Sequence, residues 1–184
     1  MAIVVDFEIN KNWEHFVLGF RHGAAFQQVI LDPRLQGLTD YEPYQLQFMS
    51  PTEAAQMIVQ KAMDTDSPIA GYTTIDRIIL EKLLGPLPVE YLNVHTTAKK
   101  WINRHFYKEF RKDNSPPEWS LKQVAAFINF PAERDYARGQ TTNRINAVIK
   151  GLTAKKGIYE KLTKVQKTKA TKILKHNEFD VNAA

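Results

Sequence analysis

The sequence contains no cysteine. That excludes disulfides, zinc–thiolate centres and a cysteine nucleophile, and it favours a reducing, intracellular (cytoplasmic) setting. Long apolar runs are also missing. Nothing approaches the ~18 residues that a membrane span needs, so no membrane association is expected. The opening Met-Ala-Ile-Val-Val-Asp-Phe-Glu has neither a basic n-region nor a long apolar h-region, and does not read as a signal peptide. No internal repeat or low-complexity tract interrupts the chain. What is there, over 184 residues, is 43% hydrophobic and 24% charged. This composition predicts one globular domain over residues 1–184, long enough to bury a core.

The formal net charge is +5 and the pI about 9.3. Much of the excess lies between 155 and 175, where Lys155, Lys156, Lys161, Lys164, Lys167, Lys169, Lys172 and Lys175 face the single acid Glu160. A solvated helix face explains such a run, and so does a surface that tracks phosphates.

Hydrophobic patterning predicts a mixed α/β layout. Ile3–Ile9, His15–Phe20 and Ala25–Leu31 read as β-branched or apolar strands joined by short links, with a turn at Arg21-His22-Gly23: an antiparallel meander. Asp32 to Met49 reads as a loop. Ser50-Pro51-Thr52-Glu53 is a helix start, with Ser at the N-cap and Glu at the third position, for a helix to about Ala62. Ile69–Tyr72 reads as a buried strand, Thr73 or Thr74 as the cap of a helix from Asp76 to Leu84, and Tyr91–Val94 as a fifth strand. Helices are expected over Thr97–Lys112, with a turn from Asp113 to Pro117, and over Leu121–Ile128 behind Ser120. A further helix is expected from Thr141 or Thr142 through Ile149, closed by Gly151, and a last one from about Ile158 towards Val181.

Three segments carry candidate chemistry. Asp6 and Glu8 stand at i and i+2 on a strand, so both carboxylates face one side. Two adjacent anions repel unless a cation lies between them, and hard oxygen ligands suit Mg²⁺ or Mn²⁺. His176 and Asp180, four apart, share a helical stripe with the apolar Ile173. An acid and an imidazole on a core-facing stripe call for a partner. Asp76 follows a short apolar strand and opens a helix, where the helix dipole alone would favour an acid. Taken singly, each group also has an ordinary surface explanation.

Together the segments resemble the DEDD exonuclease family, which includes polymerase proofreading domains. The first motif of that family, Asp-x-Glu on the opening strand, is similar to Val5-Asp6-Phe7-Glu8. The second, an apolar strand, polar turn and aspartate before an apolar helix, is similar to Ile69-Ala70-Gly71-Tyr72-Thr73-Thr74-Ile75-Asp76. The third is similar to His176-Asn177-Glu178-Phe179-Asp180-Val181, and Ser120-Leu121 resembles a helix start found between the two. The chain departs from the family in having Thr73-Thr74-Ile75 where an asparagine and an aromatic are usual. His176 also stands four before Asp180, the register in which one subtype carries tyrosine.

The resemblance implies a ribonuclease H-like mixed sheet, an antiparallel three-strand meander plus parallel strands, flanked by helices. It implies a 3′→5′ exonuclease that hydrolyses phosphodiester bonds of DNA or RNA through two Mg²⁺ or Mn²⁺ ions. Asp6, Glu8, Asp76 and Asp180 would be the metal ligands and His176 the group that handles the attacking water. The partner would be nucleic acid, a single strand or a 3′ end. The alternative is a catalytically inactive ribonuclease H-like module that binds nucleic acid or a protein. Trp13 reads either as a base-stacking residue or as a packed tryptophan. Arg134, Arg138 and Arg144 flank residues 135–140, a loop placed either near substrate or simply at the surface. His95 and His105 read as packed or surface histidines, and His15 and His22 as exposed ones.

Overall fold

The β-branched opening segment has both faces to bury, and the structure gives each a partner. In the computed structural model, which describes residues 1–41, 45–113, 117–130 and 140–184, Ile3–Ile9 forms strand β1, His15–His22 β2 and Ala25–Ile30 β3. These pair antiparallel in chain order, as expected. β2 runs further than the sequence suggests: Arg21 and His22 pair with Phe26 and Ala25. The turn shrinks to Gly23 and Ala24, with Gly23 at φ 62°. A two-residue hairpin needs positive φ at its first position to match strand twist.

The stretch expected to be a loop is not one throughout. Pro33–Asp40 winds as a 3-10 helix, capped by the Asp32 side chain accepting from Arg34 N–H at 2.8 Å, and Gln47–Phe48 forms a short strand β4. Leu35 and Leu38, both fully buried, are three apart. They coincide at the three-residue pitch of a 3-10 turn and not at the α-helical period.

Helix α1, Pro51–Asp64, opens on the expected capping box: Glu53 N–H donates to Ser50 Oγ at 3.3 Å and Ser50 N–H to Glu53 Oε2 at 2.9 Å. Strand β5 is Ile69–Gly71, helix α2 Ile75–Leu84 and strand β6 Tyr91–Asn93. The sheet order is β4-β3-β2-β1-β5-β6, with β5 parallel to β1, β6 parallel to β5 and β4 parallel to β3. This is an α/β fold with a six-stranded mixed sheet flanked by helices, consistent with a ribonuclease H-like arrangement.

The helix expected over Thr97–Lys112 is two: α3, Val94–His105, and α4, Tyr107–Asp113. On one continuous helix Phe106 and Phe110 would share a face. Here Phe110 is fully buried and Phe106 is 38% exposed, so the chain breaks at Phe106, φ −141°. Helix α5, Leu121–Phe127, starts at Ser120 as expected, with Gln123 N–H donating to Ser120 Oγ at 3.3 Å. Most of the turn expected from Asp113 to Pro117 lies outside the described residues.

Helix α6, Thr141–Ala154, passes through Gly151 rather than ending there. A Cβ on Gly151 would lie 2.9 Å from Leu162 Cδ2, so the glycine serves close packing. The last helix, α7, spans Lys164–Ala183 and starts later than expected, behind a second capping box formed by Thr163 and Gln166.

Two cores flank the sheet. Ile3, Val5 and Phe7 of β1 pack with Leu18, Phe20 and the apolar faces of α1 and α2. On the other side Val17 and Ile30 meet Leu35, Leu38, Ile145 and Val148 and, from α7, Ala170, Ile173 and Leu174. Each large apolar side chain so buried contributes ~1.5–3 kcal/mol. A smaller cluster of Ile102, Phe110 and Val124 ties α3, α4 and α5 together. Among the described residues no helix is long and apolar enough to cross a membrane.

Candidate metal centre

With Ile3, Val5 and Phe7 turned towards α1 and α2, strand alternation turns Asp6 and Glu8 to the α7 side. Opposite Asp6 on β2 stands Gly19. A Cβ there would collide with the Asn177 side-chain carbonyl, so only glycine lets α7 come this close. Asn177 Nδ2 donates to Asp6 Oδ2 at 2.7 Å and to the Asp6 carbonyl at 3.0 Å. Gln28 Nε2 in turn donates to Asn177 Oδ1 at 2.9 Å and to the Leu174 carbonyl at 2.8 Å. Both amides are buried. They form a relay from β3 through α7 that fixes the Asp6 carboxylate.

Asp76 enters from the start of α2. It is only 5% exposed, and its Oδ1 accepts the Phe7 backbone N–H at 3.0 Å, between the two acids of β1. A residue placed only for the helix dipole would face solvent. The N-cap residue Thr74 makes no side-chain cap bond, and Thr73 Oγ1 accepts from Ile75 N–H at 3.2 Å. Gly71, at the end of β5, makes the room: a Cβ there would lie 2.7 Å from Asp76 Oδ2 and would meet the Tyr91 hydroxyl. That hydroxyl donates to the Thr73 carbonyl at 2.6 Å and so holds the turn from which Asp76 emerges.

From α7, His176 and Asp180 reach the same place, with Nε2 and Oδ2 3.6 Å apart. Glu8, His176 and Asp180 each offer a ligand atom within 4.8 Å of the other two. Glu8 Oε1 is buried and accepts no hydrogen bond among the described residues. Leaving such an oxygen without a partner costs about 1–3 kcal/mol, and more when it is charged.

The electrostatics carry the marks of concentrated negative charge. Burial pushes Asp6 up to about 6, against the pull of the Asn177 hydrogen bond. Burial and then Asp6 push Asp76 up to about 8, opposed by the Phe7 N–H. Burial, Asp6 and Asp76 push Asp180 up to about 8. Glu8 is raised well above its ordinary value by burial and then by Asp6, Asp180 and Asp76. His176 is lowered by burial, then by the Arg144 and Lys122 charges, which favours the neutral imidazole. A divalent cation among these acids would reverse the carboxylate shifts. The donor set, carboxylate oxygens with one imidazole, is the chemistry that Mg²⁺ and Mn²⁺ accept.

Glu8, His176 and Asp180 are therefore brought within ligand distance of one another by β1 and α7, and Asp6 and Asp76 stand near enough for their charges to act on Glu8 and Asp180. Sequence reasoning missed the residues that seat them: Gln28, Asn177, Gly19, Gly71 and Tyr91. Two signals were present. Asn177 lies four after Ile173 on the inward stripe, and Gly19 interrupts a strand. Trp13 lies at φ 62°, 41% exposed, with Lys82 Nζ 3.6 Å from its ring centroid, so the lysine already occupies the position over that ring. Arg134, Arg138 and residues 135–139 lie outside the described residues. Arg144 is buried on α6 and donates to Gln140 Oε1 at 3.0 Å. No known protein family, curated protein or solved structure matches the chain.

Proposed function

We propose that the chain is a metal-dependent 3′→5′ exonuclease that hydrolyses phosphodiester bonds of DNA or RNA. One observation carries the reading: Glu8 and Asp180, from the first and last parts of the chain, lie with His176 within ligand distance of one another, the charges of Asp6 and Asp76 act on both acids, and Glu8 Oε1 has no hydrogen-bond donor among the described residues. The four acids would hold two Mg²⁺ or Mn²⁺ ions. Such ions, when bound, activate a water and neutralise charge on the phosphate and the leaving oxygen.

The chain's own residues do the rest. The Gln28–Asn177 relay keeps Asp6 in one orientation, and the Phe7 N–H does the same for Asp76. His176, beside Asp180 and Glu8, takes the proton of the attacking water as its oxygen bonds to phosphorus and the P–O3′ bond breaks. The products are a nucleoside monophosphate and a strand one residue shorter. Five lysines of the basic stretch, Lys164, Lys167, Lys169, Lys172 and Lys175, lie on the earlier turns of α7, the helix that delivers His176 and Asp180, which suits a polyanionic substrate.

The test is hydrolysis of a 5′-labelled single strand with Mg²⁺, with chelator, and by Asp6→Ala. Stepwise shortening that needs the metal and is lost in Asp6→Ala is expected. An Asp6→Ala protein that degrades the strand at the wild-type rate would contradict the reading. Binding with no hydrolysis under any metal would instead favour the inactive module.

A further inference from the structure

Helix α3 presents a face that the acidic centre does not use. Thr97, Lys100, Trp101, Arg104 and His105 fall at the i, i+3, i+4, i+7 and i+8 spacing of one stripe, and they line a cavity of about 470 Å³. The opposite side of the helix is the packed one, through Ala98 and Ile102. On this outward stripe Trp101 keeps 48% of its surface in water. Its ring is braced from one side by Phe106 at 4.9 Å between centroids, and Phe106 rests on Phe127 at 6.1 Å. Among the described residues, Lys100 and Arg104 have no ion-pair partner and no acid lines the cavity.

This combination selects its ligand: a planar apolar surface for a base, two permanent cations and an imidazole for phosphate, and no acid to repel it. We infer that the Trp101 face of α3 binds single-stranded nucleic acid, with an unpaired base stacked on Trp101 and the adjoining phosphates on Lys100 and Arg104. Inside a duplex each base face is covered by its neighbours in the stack, so only the end pairs could offer a face to the ring. The face is connected to the acidic centre. The His95 N–H donates to the Tyr72 carbonyl at 2.8 Å, beside the turn that launches Asp76. On the other flank α5 joins Phe106 and Phe110 through Phe127 and places Lys122 where its charge acts on His176. That the bound strand is the one whose end reaches the acids rests on the exonuclease reading; binding at Trp101 does not.

The experiment therefore separates them. Binding of a 5′-labelled single strand is measured by anisotropy in chelator, where metal-dependent hydrolysis is silent. Trp101→Ala is expected to weaken it roughly 5- to 150-fold, while Trp101→Phe retains most of the affinity. The effect is expected to vanish on a strand made of abasic residues, and duplex is expected to bind weakly and without dependence on Trp101. Lys100→Glu with Arg104→Glu should weaken binding to normal and abasic strands alike and lower the salt dependence. Unchanged affinity in Trp101→Ala, an equal loss on the abasic strand, or no binding by the wild type overturns the inference. Trp101-dependent binding without hydrolysis at any metal concentration would leave it standing and remove the exonuclease reading. Hydrolysis with Trp101→Ala unchanged in affinity and KM does the reverse.

Discussion

Replacing Asn177 by leucine tests whether the amide relay holds the Asp6 carboxylate. The change keeps the branched shape, in a somewhat larger side chain, and removes three hydrogen bonds: to the Asp6 carbonyl, to Asp6 Oδ2 and from Gln28. Two neutral bonds at ~1 kcal/mol each and one to a carboxylate at ~1.5–3 kcal/mol sum to roughly 3.5–5 kcal/mol. Leucine's added apolar burial returns about 1–2 kcal/mol, which leaves a net loss of about 1.5–4 kcal/mol. With an m-value of ~2 kcal/mol/M, the urea midpoint falls by roughly 0.8–2 M. The same variant releases Asp6, so its affinity for Mn²⁺ measured by calorimetry should fall roughly 10- to 100-fold. Gln28→Leu should show a smaller loss of both. Because Gln28 reaches Asp6 only through Asn177, the double variant should be less destabilised than the two losses added together, by ~1 kcal/mol or more. An Asn177→Leu protein with an unchanged urea midpoint and unchanged Mn²⁺ affinity refutes the relay.

Metal-free protein should lose thermal stability as pH rises from about 4 to about 9. A carboxyl whose folded-state pKa is raised favours the fold only while protonated. The contribution of Asp6, at about 6, and of Asp76 and Asp180, at about 8, is complete below the unfolded value and is lost as pH passes these values. Saturating Mn²⁺ should abolish that slope, raising stability by ~2.7 kcal/mol at one hundred times its Kd, and a flat metal-free melting profile would contradict the cluster. Asp76→Asn keeps an acceptor for the Phe7 N–H while removing one buried like charge. It should therefore gain at least about 1 kcal/mol at pH 9 without metal, read by urea unfolding, and lose metal-dependent hydrolysis. Gly71→Ala should cost about 1–3 kcal/mol, because its methyl group would strike Asp76 Oδ2 and the Tyr91 hydroxyl. Ser50→Ala, remote from the acids, should lose ~1 kcal/mol through the α1 cap and leave hydrolysis unchanged.

Much of the fold was legible because its causes are local. Alternating Ile3, Val5 and Phe7 state that β1 has an apolar side, and the same alternation puts Asp6 and Glu8 together on the other. Ser50 with Glu53, and Ser120 with Gln123, announce helix starts within four residues of chain. The errors arose where a distant contact overrode the local signal. Gly151 reads as a helix end, yet it lies inside α6 because Leu162 and Gln166 press on it. Thr97–Lys112 reads as one helix, yet with Phe110 buried and Phe106 exposed the chain breaks at Phe106.

By itself, then, the sequence determined which residues share a face: the two acids of β1, and the histidine and acid of α7. Periodicity is a property of neighbours along the chain and needs nothing else. Only the tertiary structure decided which faces meet. The bond from Asp76 to Phe7 spans 69 residues, that from Gln28 to Asn177 spans 149, and that from Asn177 to Asp6 spans 171. Each depends on a helix settling against the sheet at the spot where a missing Cβ, at Gly71 or Gly19, leaves it room. Contacts of that kind are made by packing, which no count of residue spacing contains.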